Sequence, residues 1–240
     1  MNLVVSQSMY FPWVGLLEQI ALSDVFVHYD DVQHTKGFYN RVQVKTINGI
    51  RWMTVPLRDR HQGQKINEVR VDDRVNWRRQ HYEILRLAYS KAPFCKDMLA
   101  LVDDVFSRNI ETLAEVSRAS ILALSDYYGL SENTCFESSL KVSGSGSQRI
   151  HDLCVAFGGK TYITGHGARN YLDHEVFERA GIRVEYMNYH KRSYPQLHGE
   201  FTPYVTALDL VANCGKEGAH VICSDTLYWK DFINEPNSKV

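Results

Sequence analysis

The first thirty residues limit the fold more than any other stretch. Residues 2–6 are a short apolar strand, VGLLEQIAL places Leu16, Leu17, Ile20 and Ala21 on one helical face, and DVFVHYD is strand-like through Val25, Phe26 and Val27. Strand, helix and strand in so few residues predict a parallel pair joined by a right-handed crossover. Between the first strand and the helix the chain reads QSMYFPWVG, with Gln7, Tyr10, Phe11, Pro12, Trp13 and Gly15. Three large aromatics in a loop need a core or a ligand, and in open α/β sheets ligands collect at the carboxyl ends of strands.

The rest of the chain extends this start. FYNRVQVKTINGIRWMTVPL has Asn48-Gly49 between two alternating runs, which predicts a β-hairpin. Residues 75–128 carry three amphipathic helices without interleaved strands, broken at Ala92-Pro93 and stopped at Gly129. They are expected to form a helical insertion or lid, over 75–129, in an α/β body made of residues 1–74 and 130–240. Alternation then resumes: FESSL as a strand, SGSGS as a flexible loop, and QRIHDLCVAFG as a helix. TYIT follows as a strand, NYLDHEVFERAG as a helix, IRVEYMNY as a strand and TALDLVANCG as a helix. The fold class expected is α/β, with a mostly parallel Rossmann-like sheet, a β-hairpin and an inserted helical subdomain.

Composition removes several function classes. A formal net charge of −1 over 240 residues argues against gripping nucleic acid through bulk electrostatics. No run approaches the roughly 18 apolar residues of a membrane span, and no basic-then-apolar leader is present, so a cytoplasmic protein is expected. The five scattered cysteines have no CxxC spacing and read as reduced, mostly buried thiols, Cys154 in the core among them. No metal-ligand signature, GxSxG elbow or HExxH motif occurs, so no metal site is expected.

Polar clusters fall at the predicted strand ends. Gln7 and Tyr10 follow the first strand, with Gly15 allowing close backbone approach. Asp30, Asp31, Gln33, Lys36, Asn40 and Arg41 follow the second, and would face the first loop across the sheet top. Neighbouring residues on extended chain point opposite ways, so one of the two aspartates is expected to line a site. Gly165-His166-Gly167 and Tyr171 follow TYIT, with His166 suited to proton transfer. His190, Lys191, Arg192, Gln196, His198 and Glu200 follow the next strand; Lys191 and Arg192 suit an anionic group, the guanidinium fork matching carboxylate or phosphate, and His198 and Glu200 could form an acid–base pair. SGSGSQRIHD could cradle phosphate at a helix start, but it matches neither the P-loop nor the dinucleotide fingerprint, and a linker explains it as well.

Four segments in register, SQSMYFPWVGLLEQIALSDVFVHYDDVQHTK, NRVQVKTINGIRWMTVPL, YITGHGARNYLD and YPQLHGEFTPYVTALDLVANCG, resemble the WbqC-like family from residue 2 to about residue 215. One departure is that Ser8 stands after Gln7 where the family usually has proline. Members occur among surface-polysaccharide (O-antigen, lipopolysaccharide) biosynthesis genes, and glycine transfer to an amino sugar is suggested for some. The resemblance therefore implies a cytoplasmic enzyme that acylates a nucleotide-linked or lipid-linked amino sugar. ATP or an activated aminoacyl donor, such as aminoacyl-tRNA, would serve as co-substrate. The layout of the N-terminal unit is also similar to HxGH-type nucleotidyltransferases, but Pro12, Trp13, Val14 and Gly15 stand where their histidines would be. On this reading Asp31 and His166 are the candidate bases. Lys36, Arg41 and Arg192 hold anionic groups, Tyr10 and Trp13 stack on a base or sugar face, and Gln7, Asp30, Gln33, Asn40, Gly165, Tyr171, Gln196 and His198 complete the binding surface. The rival readings are a carbohydrate- or nucleotide-binding module without catalysis and a nucleotidyltransferase-like ligase that uses ATP.

Overall fold

The computed structural model describes residues 1–35, 37–130, 134–136 and 142–234. Its centre is a six-stranded sheet in the order β10-β9-β8-β1-β2-β7. The strands are β1 (Asn2–Ser6), β2 (Val25–His28), β7 (Thr134–Phe136), β8 (Thr161–Thr164), β9 (Arg183–Asn188) and β10 (Asp225–Tyr228). Five run parallel, and β10 closes one edge antiparallel to β9. The expected α/β class with a mostly parallel sheet is met, the sheet lying between two helical layers.

Period-two alternation divides the core. Val4, Phe26, Ile163 and Met187 face α1 (Val14–Leu22) and the helices α2 (Trp77–Ala88), α3 (Cys95–Ser107) and α4 (Leu113–Tyr128). Leu3, Val5, Val27, Tyr162 and Val184 face α5 (Gly146–Ala156), α6 (His174–Arg179) and α8 (Trp229–Asn234). The β1–α1–β2 and β8–α6–β9 connections leave the sheet centre in opposite directions, so strand order reverses between β1 and β8. Loops at that reversal diverge and leave a crevice at the carboxyl ends.

The predicted hairpin is β3 (Arg41–Thr46) against β4 (Gly49–Thr54), paired from Thr46–Gly49 to Arg41–Thr54. Its tip is Ile47-Asn48, with Gly49 just beyond it at φ +96°. Two short strands, β5 (Leu57–Arg58) and β6 (Arg70–Val71), follow. The three predicted helices of 75–128 are present as α2–α4; Thr112 and Glu115 form a capping box that starts α4, and Gly129 at φ +74° ends it. They share one apolar cluster with α1 and the sheet.

Three boundaries differ from expectation. NYLDHEVFERAG is not one helix: a 3-10 turn spans His166–Asn170, and α6 restarts at His174 because the Asp173 carboxylate caps Glu175 N–H. The FESSL strand begins earlier, as β7, and residues 137–140 lie outside the described residues. The chain also adds β10 and α8 after α7 (Leu208–Cys214).

The loop QSMYFPW owes its shape to its own polar partners. Asp30 takes the Ser8 N–H at 2.8 Å and the Ser8 hydroxyl at 2.8 Å, and it pairs with Arg118 of α4 at 2.6 Å. The hydroxyl proton is thus committed to the carboxylate, so His28 Nδ1, 2.8 Å from Ser8 Oγ, is the donor in that contact. Ser8 supplies by hydrogen bonds the rigidity that proline would have supplied by its ring. Downstream, Ser120 of α4 accepts from Phe11 N–H, and Thr206 donates to the Phe11 carbonyl. These bonds hold Phe11 at φ +38°, in the left-handed region that bulky residues avoid.

Candidate functional site

The crevice at the β1/β8 reversal is a cleft of about 1110 Å³. Its floor is the strand-end loops after β1, β2, β8 and β9. Its rim comes from β3–β4, from the segment before α5 and from Tyr204.

His166 sits at the reversal. Its Nε2 lies 2.6 Å from the Met187 carbonyl oxygen, an atom that can only accept, so Nε2 carries the proton. In the neutral ring Nδ1 is then the acceptor, and no described residue bonds to it. From His166 a line of rings runs outward: Tyr189 at 5.2 Å, Trp13 at 5.0 Å from Tyr189, and Tyr204 at 6.1 Å from Trp13. Gln19, largely buried under this line, donates to the Tyr189 hydroxyl at 2.7 Å and leaves the phenol proton to offer. Trp13 can lie flat because residue 15 is glycine: a Cβ there would stand 2.3 Å from the indole. Gly15 thus makes room for Trp13, whereas the sequence pointed to close approach of a ligand.

Of the other expected ligand contacts, Gln7, Gln33, Arg41, Gly165 and Tyr171 line the cleft. Asp31 lines it too, and accepts both Arg149 terminal nitrogens in a bidentate pair. Lys36 lies outside the described residues.

Six expectations are corrected. Tyr10 reaches the cleft wall, but its ring is fully buried, edge-on to Phe11 and Trp77, and its hydroxyl bonds His81 at 3.0 Å. It therefore has no face to stack on a ligand. Asp30 is fully buried beneath the cleft, spent on Ser8 and Arg118. Asn40 donates to the Val55 carbonyl and fastens the chain beside the hairpin. Gln196 accepts from Lys45 and Thr202, while His198 bonds the Ala88 carbonyl at the end of α2. Arg192 is exposed away from the cleft, toward the His220 carbonyl. The reason is common to all six: in a loop or at a strand end, polar side chains first satisfy nearby backbone and buried groups.

Of the Lys191-Arg192 pair suited to an anionic group, Lys191 enters the cleft; it adopts φ +48° and donates to the Tyr204 hydroxyl at 3.0 Å. Other contributors carried little sequence signal. Arg149 comes from the first turn of α5, just after SGSGS, and its guanidinium also lies over Tyr29 at 4.9 Å. Trp52 and Phe38 stack at 5.8 Å on the rim, with the Arg41 guanidinium 4.7 Å over the Trp52 ring. Alternation along β3 and β4 could have flagged Arg41, Gln43 and Trp52 as one face, since Gln43 pairs with Trp52.

Burial sets the charge states around the site. His28 and His81 are each pushed down to about 4, chiefly by burial, and are neutral at physiological pH. Burial pushes the Asp209 carboxyl up, beneath the loop that holds Lys45. Cys95, Cys154, Cys214 and Cys223 are free thiols, and burial pushes that of Cys154 up to about 12. Among the described residues no cluster of three histidine, cysteine or acidic side chains could hold a metal ion, and no helix is long and apolar enough to cross a membrane.

The arrangement is that of an α/β protein with an aromatic-lined cleft at the sheet's reversal and an oriented histidine in its floor. The WbqC-like protein family model matches residues 7–221, and the chain belongs to that family. It is 33% identical over 220 residues to the uncharacterized protein Rv1507c of Mycobacterium tuberculosis (strain ATCC 25618 / H37Rv), covering 90% of this chain and 95% of that one. No solved structure matches the chain.

Proposed function

We propose that the cleft binds an amino sugar, carried on a nucleotide or a lipid, and forms an amide on its amine by acyl or aminoacyl transfer, glycine being one candidate acyl group. The observation that carries this reading is His166, whose Nε2–H is tied to the Met187 carbonyl so that Nδ1 is left as a base. The amine nitrogen attacks the carbonyl carbon of an activated acyl donor. The new C–N bond forms as the bond to the donor's leaving group breaks, and the ammonium proton passes to Nδ1. A base is required because attack leaves the nitrogen cationic, and a neutral amide results only once that proton is removed.

Asp31 is better suited to positioning than to proton transfer, since its oxygens are engaged by the Arg149 fork. Trp13 and Tyr189 offer faces for the apolar side of a sugar ring. The donor would be ATP-activated within the cleft or delivered already activated, as in an aminoacyl-tRNA.

The test is to incubate the protein with amino-sugar nucleotides, glycine and ATP, or with glycyl-tRNA, and follow the sugar by mass spectrometry. A gain of one glycyl residue is expected. His166→Ala should abolish turnover, by about 100-fold or more, while ligand affinity and melting temperature stay near those of the parent. No mass gain across a broad panel of amino sugars, with folded protein that still binds them, would instead identify a binding module.

A further inference from the structure

We propose that the cleft takes its amino sugar as a nucleoside diphosphate conjugate, the diphosphate held by Arg41 and Lys191 and the base stacked on the Phe38–Trp52 rim. This rests on the transferase reading for the sugar end alone; the nucleotide end stands on three separate observations.

The first is charge. The chain as a whole is at −1, yet the described charged residues of the cleft are Arg41, Arg149 and Lys191 against the single carboxylate of Asp31. Arg149 and Asp31 neutralise each other. Arg41 lies over rings, and Lys191 meets a neutral phenol hydroxyl; neither has a carboxylate partner among the described residues. Two uncompensated cations in one cleft of a slightly acidic protein complement a ligand of about two negative charges, the charge a diphosphate diester carries. A neutral sugar would need neither.

The second is where exposed aromatics are found. Five large aromatic side chains are exposed among the described residues, and four of them, Phe38, Trp52, Tyr171 and Tyr204, line this cleft. Exposed aromatics concentrated at one place mark a binding surface, not random surface composition. Phe38 and Trp52 are nearly parallel, at 24°, with Arg41 on the indole. A planar base extends such a column through its π face, whatever its hydrogen-bonding edge. A polyprenyl chain would be served instead by an aliphatic groove.

The third is order along the wall. The ring line leads from His166 through Tyr189 and Trp13 to Tyr204, and Lys191 sits on Tyr204 at its outer end. The bridge between Gln43 and Val205 brings β3, and with it Arg41, alongside that outer end. Sugar amine, diphosphate and base then follow one another from the floor to the rim. The strained backbone of Lys191, at φ +48°, fits a residue held for a ligand more than for the fold.

Calorimetric titration tests this with uridine, guanosine and adenosine diphosphates, with inorganic pyrophosphate, with the free nucleosides, and with vesicles bearing a polyprenyl diphosphate. At least one nucleoside diphosphate should bind about tenfold or more tighter than pyrophosphate or its own nucleoside. Trp52→Ala and, separately, Phe38→Ala should cost about tenfold in nucleotide affinity and leave pyrophosphate binding unchanged. Arg41→Gln and Lys191→Gln should weaken nucleotide and pyrophosphate together. Four variants of exposed or rim residues guard against one misfolded variant deciding the result. Nucleoside diphosphates that bind no better than pyrophosphate, or capture by the polyprenyl vesicles alone, would overturn the proposal. Acyl transfer to a lipid-linked amino sugar without nucleotide binding would sink this inference and leave the transferase standing. Nucleotide binding without transfer to any amino sugar would do the reverse.

Discussion

Asp30 lies beneath the cleft, buried between Ser8 and Arg118; Asp31, the next residue, lies in the cleft wall against Arg149. The two arginines come from opposite helical layers, α4 and α5. Successive residues at the end of β2 point to opposite faces, so one carboxylate fastens the lower layer while its neighbour shapes the site. In the clamp Ser8, His28 and Asp30 are fully buried, and Asp30 bonds both Ser8 and Arg118. The wall is open, and Phe38, Trp52, Tyr171 and Tyr204 are exposed along it. Stability should therefore reside in the first region and function in the second.

Replacing Asp30 with alanine is the most damaging way to break that contrast. It strips Arg118 of a buried partner and leaves the Ser8 N–H without an acceptor, at a cost of about 3–5 kcal/mol. Tyr204→Phe, at the exposed rim, should change stability by no more than about 0.5 kcal/mol. Urea unfolding of both variants measures the difference. An Asp30 variant within about 1 kcal/mol of the parent would show that the loop does not depend on the clamp.

Acid should separate the regions next. His28 and His81 titrate near 4 in the folded chain, both held down chiefly by burial, against an ordinary value near 6.5. Between these values the unfolded chain binds the protons that the folded chain refuses, so stability falls as pH drops from 6.5 toward 4. Above 6.5 the effect is absent. The loss is about 3 kcal/mol per histidine across the full window. Unfolding midpoints at pH 7 and pH 4.5 check this, and a flat profile would mean that both rings already carry charge when folded.

The same contrast explains what was legible in the residues. The β–α–β start, the hairpin and α2–α4 follow from periodicity and caps, which are local. The cleft's position follows from the strand-end rule applied to them. Which side chains enter it does not. Tyr10 and Trp13 sit three residues apart in one loop, and only the positive φ of Phe11 and the packing of α4 send one to the core and the other to the cleft. Lys191 and Arg192 are neighbours of equal charge, and backbone direction alone separates them. Gln196 and His198 looked available for a ligand, but Gln196 is spent on Lys45 and the loop's Thr202 carbonyl, and His198 on the Ala88 carbonyl of α2. β10 and α8 were missed because DTLYWKDFIN shows neither period strongly.

Gly15→Ala is the gentlest way to sharpen the contrast, because the residue belongs to both regions. Its backbone lies in buried α1, while the space above it is filled by the Trp13 indole of the cleft wall. Alanine suits a helix better than glycine, worth up to about 1 kcal/mol in its favour. The new methyl, however, would stand 2.3 Å from Trp13 ring carbons, so the indole must move or the helix must shift. If the indole moves, the overpacking cost of about 1–3 kcal/mol is largely relieved at the open wall. Stability then changes little, while Trp13 leaves Tyr189 and Tyr204 and ligand affinity falls. If the helix shifts, stability falls instead. Near-UV circular dichroism and urea unfolding of the one variant distinguish the two. A spectral change at nearly constant stability is expected, since the wall is the softer of the two regions; an unchanged spectrum with a loss of more than about 2 kcal/mol would place Trp13 with the clamp.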